Sequence, residues 1–127
     1  MVGIVVVSHS AKAAEGICEI AREMGGGGGL EPVGGDPDGG IGTSPDPIGE
    51  AIEAASDGDG VVVLVDLGSA VMNAELAIEM AGVDDVVIAD APVLEGALNA
   101  AVAATSPSAT VETVRESAEE ARDVSKV

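Results

Sequence analysis

The sequence predicts an α/β fold, an open and mostly parallel sheet of four or more strands with helices on both faces. Two observations carry that prediction. Short apolar, β-branched runs alternate along the chain with segments of helical period, the pattern of successive right-handed βαβ units. The runs also lack polar alternation, so each strand is expected to be buried on both faces, as parallel strands are. With 127 residues, the chain is the size of one domain with one core, taken here as 1–127.

"VGIVVV" at 2–7 is the first such run. Residues 11–24 follow as a helix, with Ala14, Ile17, Cys18, Ala21 and Met24 on one face. Gly25 is placed to end that helix in the left-handed conformation. The glycines at 25–29 follow a helix instead of joining a strand to one, so they read as a flexible connector and not as a phosphate loop. "LEPV" at 30–33 gives a short second strand, and Pro32 assigns it to an edge. "GGDPDGGIGTSPDP" is an irregular loop by composition. A helix at 46–56 carries Ile48, Ala51, Ile52 and Ala55 on one stripe. A third strand spans 60–66, and a helix runs from the following loop to Ala81, with Gly82 as its stop. "DDVVIAD" supplies a fourth strand, and "APVLEGALNAAVAAT" a helix with Pro92 in its first turn. "SATVETVRESAEEARDV" is an amphipathic helix with Val111, Val114, Ala118 and Ala121 inward.

Composition narrows the function. The chain has 46% hydrophobic residues but no Phe, Tyr or Trp, so Val, Ile, Leu, Met and Ala must fill its core. It carries 23 acidic and 5 basic residues, a formal charge of −18, which excludes nucleic acid and anionic membranes as natural partners. Acids spread over many segments, with few lysines and abundant Ala, Val and Gly, read as adaptation to a salt-rich cytoplasm. No apolar run is long enough to span a membrane. No basic segment precedes the first apolar run, which argues against a secretory signal. The single cysteine, Cys18, forbids an intramolecular disulfide and a cysteine-rich metal site. It reads as a small buried residue.

Ligands of open α/β sheets bind beyond the carboxyl ends of the strands. Four stretches arrive there: Ser8-His9-Ser10, the loop ending Gly42-Thr43-Ser44, Asp66-Leu67-Gly68-Ser69, and Asp90-Ala91-Pro92. His9 is the only histidine, and Lys12 is the one nearby cation. An imidazole at such a rim can serve as base, metal ligand or nucleophile. A metal role lacks a second His or a reactive Cys, and none is expected. A Ser69-His9-Asp66 hydrolase is possible by residue type but lacks the G-x-S-x-G elbow. A nucleophilic His9 that accepts a phosphoryl group fits better, with Asp66 orienting the ring. Gly68, Ser69, Thr43 and Ser10 are candidates to hold the phosphoryl oxygens. Each has a plainer reading beside it. His9 could be a surface histidine, Asp66 or Ser10 a helix cap, Gly68 a tight turn and Thr43 an ordinary loop residue. Glu75 and Glu79 lie too far along their helix to reach the rim and read as a solvated face.

At these residues the chain resembles a family. "VVVSHSAKAAEGICEIA", "GTS", "VVVLVDLGSAVMNAELAIEM" and "ADAPVLEGALNAAV" are similar to the phosphotransferase subunits (DhaM) of phosphoenolpyruvate-dependent dihydroxyacetone kinase. Those subunits are similar in fold to the IIA domains of mannose-type sugar phosphotransferases. The combination S-H-S, D-L-G-S-A and A-P-x-x-E-G, in that order and spacing, is specific, and it covers most of the chain. The resemblance implies that His9 takes a phosphoryl group from a phosphohistidine carrier protein. It further implies transfer to ADP held on a kinase subunit, with a third subunit binding dihydroxyacetone. It implies a cytoplasmic homodimer with no cofactor of its own. Some members carry the upstream carrier domains fused at the C-terminus. This sequence ends after the first domain, so a separate donor is expected. The family often has an acid where Ser44 stands, and no role is assigned to Ser44. A sugar-transport IIA domain acting on a IIB partner, or a regulatory module switched by histidine phosphorylation, are the alternatives.

Overall fold

The computed structural model describes residues 1–25 and 29–127. Residues 26–28 of the expected glycine connector lie outside the described residues. Strands β1 (Gly3–Ser8), β2 (Leu30–Gly34), β3 (Val61–Val65) and β4 (Val86–Ile88) alternate with helices α1 (Ala11–Gly25), α2 (Pro45–Ala55), α3 (Val71–Met80) and α4 (Val93–Ala104). Helix α5 (Val111–Glu120) follows α4, and short 3-10 turns stand at Gly68–Ala70 and Ala121–Asp123. The four strands form one parallel sheet in the order β2-β1-β3-β4. The predicted α/β architecture is the one observed, with Pro32 on an edge strand where one side of the backbone needs no partner.

Two-sided burial explains the apolar runs. Ile4 and Val6 of β1, with Val62 and Leu64 of β3, face a cluster that holds Cys18 and Ala21 of α1, Ala97 and Ala100 of α4, and Val114 and Ala118 of α5. Val5, Val7, Val61 and Val63 face the other layer, against Ile48 and Ile52 of α2 and Ala74 and Ala77 of α3. Each Val or Ile sealed from water this way stabilises the fold by about 1.5–3 kcal/mol relative to exposure. Alanines on the helices let aliphatic strands touch helix backbones closely, which is how a core without aromatic rings closes.

Some local readings change. Gly25 belongs to α1 and is not left-handed. A Cβ there would lie 2.9 Å from both Ala101 Cβ and Val102 N, so glycine is required by the approach of α4. Met24, placed inward by periodicity, is 66% exposed, because no element among the described residues covers the last turn of α1 on that side. Strands three and four are shorter than expected: Asp66 lies beyond β3, and Asp84 and Asp85 form a turn with Asp85 at φ 58°. Helix α3 ends as Ala81 becomes extended, and Gly82 adopts no left-handed stop. Pro92 precedes α4 as its cap residue.

Candidate functional site

In this strand order the chain leaves β1 toward β2 on one side while β3 lies on the other, which opens a crevice beyond their carboxyl ends. His9 stands at the end of β1 and Asp66 at the end of β3. The register that pairs Val7 with Val65 sets them side by side. The Asp66 carboxylate takes three donors. Its Oδ2 accepts from Ser8 Oγ at 2.9 Å and from the His9 backbone N–H at 3.0 Å, and its Oδ1 lies 3.0 Å from His9 Nδ1. A carboxylate only accepts, so Nδ1 must carry the proton in this pair. The other ring nitrogen, Nε2, then presents a lone pair. Ser69 Oγ sits 3.0 Å from it and donates to it.

Electrostatics favour the same arrangement. Burial works to raise the Asp66 pKa, but the backbone N–H of His9, its ring N–H and the Ser8 hydroxyl outweigh it and hold the carboxyl below its ordinary value. Both side chains keep an opening to solvent, with His9 23% and Asp66 20% exposed. That suits a ring held rigidly on one edge and reachable on the other.

The other expected residues fall as follows. Ser10 Oγ accepts from Ala13 N at 3.3 Å and so caps α1. Gly68 and Ser69 form the exposed start of the 3-10 turn before α3. Asp66 makes no cap bond to that turn, so its oxygens serve His9 and Ser8. Thr43 is held by Asn73 of α3, whose Nδ2 donates to Thr43 Oγ1 at 2.8 Å. Gly42 N donates to the His9 carbonyl at 2.8 Å, which draws the loop ending at Thr43 to the site. Ser44 precedes α2 in extended conformation with no side-chain cap bond. Lys12 lines a cleft with Ser10, Gly35, Asp36 and Ile41. The Asp90 stretch lines a cleft with Leu67 and Gly68, and there Asp90 pairs with Arg122 at 2.9 Å while its N–H donates to Glu119. Glu75 and Glu79 are exposed on α3. Among the described residues, no three His, Cys, Asp or Glu side chains gather into a metal-holding group. No helix among them is long and apolar enough to cross a membrane.

Sequence reasoning missed two residues. Ser8 is a fully buried hydroxyl that donates to Asp66 and accepts from Ser10 N at 3.1 Å. Its signal was there, since a polar side chain closing a run of buried valines must find partners. Asn73 offered only a weak signal, a polar side chain four residues after Ser69.

The family described as PTS system fructose IIA component matches residues 3–115. A phosphoryl donor subunit DhaM of PEP-dependent dihydroxyacetone kinase from Klebsiella michiganensis is 42% identical over 111 residues, covering 82% of this chain and 24% of that protein. The chain therefore spans about a quarter of that relative. A Listeria innocua protein described as the phosphoryl donor subunit of PEP-dependent dihydroxyacetone kinase 1 is 41% identical over 95 residues, 75% of each chain. The phosphotransferase subunit DhaM of a PTS-dependent dihydroxyacetone kinase from Lactococcus lactis is 39% identical over 117 residues, covering 92% of this chain and 93% of its own. A solved structure of a protein described as of unknown function superposes with a TM-score of 0.78 at 32% identity, covering 93% of this chain and 92% of its own.

Proposed function

The chain belongs to the family of PTS fructose IIA components, and from that premise we propose that it is a phosphoryl carrier of a dihydroxyacetone kinase system, with His9 Nε2 as the atom that holds the phosphoryl group. The observation that supports it is the ring fixed between Asp66 and Ser69, with Nε2 as its unprotonated nitrogen. The Nε2 lone pair attacks phosphorus of a phosphohistidine on a carrier protein. The donor N–P bond breaks, and its electron pair returns to the donor ring. As positive charge develops on the His9 ring, the Asp66 carboxylate stabilises it through Nδ1–H, and the Ser69 hydroxyl turns from Nε2 to a phosphoryl oxygen. Gly68 and Ser69 stand where a turn offers N–H groups to the same oxygens, with Ser10 and Thr43 at the rim. Transfer onward to ADP on a kinase subunit reverses these steps, and a third subunit supplies dihydroxyacetone. The carrier needs no metal or cofactor of its own in this scheme. The proposal takes residues 1–127 as one carrier domain, dimeric and cytoplasmic.

The test is incubation with phosphoenolpyruvate, the general phosphocarrier proteins and the kinase and substrate-binding subunits, following dihydroxyacetone phosphate. The label on the chain should be acid-labile and base-stable, and His9→Ala should remove it while leaving the fold intact. Labelling retained in that variant overturns the assignment. The family description itself favours a second reading, a sugar-transport IIA domain that hands its group to a IIB partner. Transfer to a IIB protein without any to the kinase subunit would select it.

A further inference from the structure

We infer that Asn73 is a positioning residue, which commits the Thr43 hydroxyl to donate its hydrogen to the phosphoryl group on His9. The inference rests on the carrier reading above. Asn73 Nδ2 lies 2.8 Å from Thr43 Oγ1 and 3.3 Å from the Thr43 backbone oxygen. That backbone oxygen can only accept, so the edge of the Asn73 amide facing Thr43 must be its NH2 group. The amide therefore donates to Oγ1 as well and occupies one of its lone pairs. The single hydroxyl hydrogen of Thr43 must point elsewhere. Among the described residues no acceptor takes it.

The placement connects this free hydrogen to the ring. Gly42, the residue before Thr43, donates its N–H to the His9 carbonyl at 2.8 Å. Asn73 lies in the first turn of α3, four residues after Ser69 of the preceding 3-10 turn, and Ser69 Oγ is 3.0 Å from His9 Nε2. Thr43 is thus tied, through Gly42, to the backbone of His9 on one side and on the other to the helix that directly follows the turn carrying Ser69. A ligand rich in acceptors and without donors, such as a phosphoryl group, is what such a hydrogen serves. In a chain of net charge −18, where among the described residues no Lys or Arg is hydrogen-bonded to His9, Asp66, Ser69 or Thr43, neutral donors must do most of that holding.

The test uses phosphoramidate as donor, a small molecule that needs no docking surface. The His9 Nε2–P bond forms as the P–N bond of phosphoramidate breaks, and its nitrogen, protonated from solvent, leaves with the bonding pair as ammonia. Phosphohistidine is read by phosphorus NMR, and folding by circular dichroism. Thr43→Val should slow acceptance about tenfold, the scale of one hydrogen bond, and Thr43→Ser should restore it. Asn73→Ala should slow acceptance to the same degree in the wild-type background and not at all in Thr43→Val. Asn73→Asp, whose carboxylate accepts the Thr43 hydrogen and faces the Thr43 carbonyl, should be at least as slow as Asn73→Ala. Folded Asn73→Ala or Asn73→Asp that accepts at the wild-type rate overturns the inference, and so does additional slowing by Asn73→Ala in Thr43→Val. Should neither Asn73 variant fold, a Thr43→Val protein that accepts at the wild-type rate also overturns it. A wild-type chain that takes no label on His9 overturns the carrier reading, and the inference with it.

Discussion

Replacing Asp66 with Asn exchanges one oxygen for an NH2 group, and the structure dictates where that group goes. Two donors, Ser8 Oγ and the His9 backbone N–H, converge on Oδ2, while one ring nitrogen faces Oδ1. Asparagine has a single acceptor, so its oxygen stays with the two donors and its NH2 turns to Nδ1. Nδ1 must then accept, the ring proton moves to Nε2, and the nitrogen beside Ser69 loses its lone pair. An Asp→Asn change that flips a catalytic histidine's tautomer costs about 10⁴ in rate in the serine proteases. A loss of about 10²–10⁴ in phosphoryl acceptance is expected here. Two of the three hydrogen bonds survive and the third reverses its sense, so stability should fall by only about 1–2 kcal/mol. Because His9 is the sole histidine, nitrogen NMR of the chain labelled with ¹⁵N-histidine shows one ring and reads its tautomer directly. A variant still protonated on Nδ1, or one that accepts phosphoryl groups as fast as wild type, would refute the reasoning.

Other outcomes follow from the same contacts. The folded Asp66 pKa is lowered, so its contribution to stability is present above the unfolded value of about 3.9 and is lost as pH falls through the folded one. Chemical denaturation should therefore show a gap between wild type and Asp66→Asn that narrows as the pH falls below about 4. Cys18 is fully buried, and burial pushes its thiol up to about 11, so a disulfide reagent at pH 8 should leave it untouched until denaturant is added. Rapid modification of the folded chain would contradict the packing of α1. Gly34→Ala would bring a Cβ to 2.4 Å from Ser8 O and 2.9 Å from Ser10 O. Neither backbone atom can yield without moving His9, so a loss of about 1–3 kcal/mol together with slower acceptance is expected, and a neutral effect on both would count against it. With 23 acids against 5 bases, self-repulsion should be screened as the Debye length falls from about 10 Å at 0.1 M salt to about 3 Å at 1 M. The melting temperature should rise with KCl. A flat or falling curve would mean that the acidity is no salt adaptation.

What could be read from the sequence was local or periodic, and what escaped it was contact between distant segments. The valines of β1 and β3 declared a two-sided strand because an apolar run without alternation has few other uses. Gly25 could be placed at a helix end, but the reason for glycine is the backbone of α4, which no local rule contains. Met24 fitted the inward face by period, yet a helix face is buried only where another element covers it. The Asn73–Thr43 link joins residues 30 apart and left no mark beyond two polar side chains in unrelated stretches.

His9 and Asp66 were both named from sequence, but their separation depends on something else, the register of β1 on β3. That register aligns Val7 with Val65. A slip of one residue would exchange the faces of Ile4 and Val6 with those of Val5 and Val7, and send each pair into the wrong layer. The same slip would shift the end of β1 about 3.3 Å along β3 and pull the ring away from the Asp66 oxygens. The distance of 3.0 Å that sets the imidazole tautomer is therefore held by the aliphatic side chains behind it. An aliphatic core with distinct layers on the two sides of one sheet positions the His9 ring, and the Asp66 carboxylate completes that placement by choosing which nitrogen carries the proton.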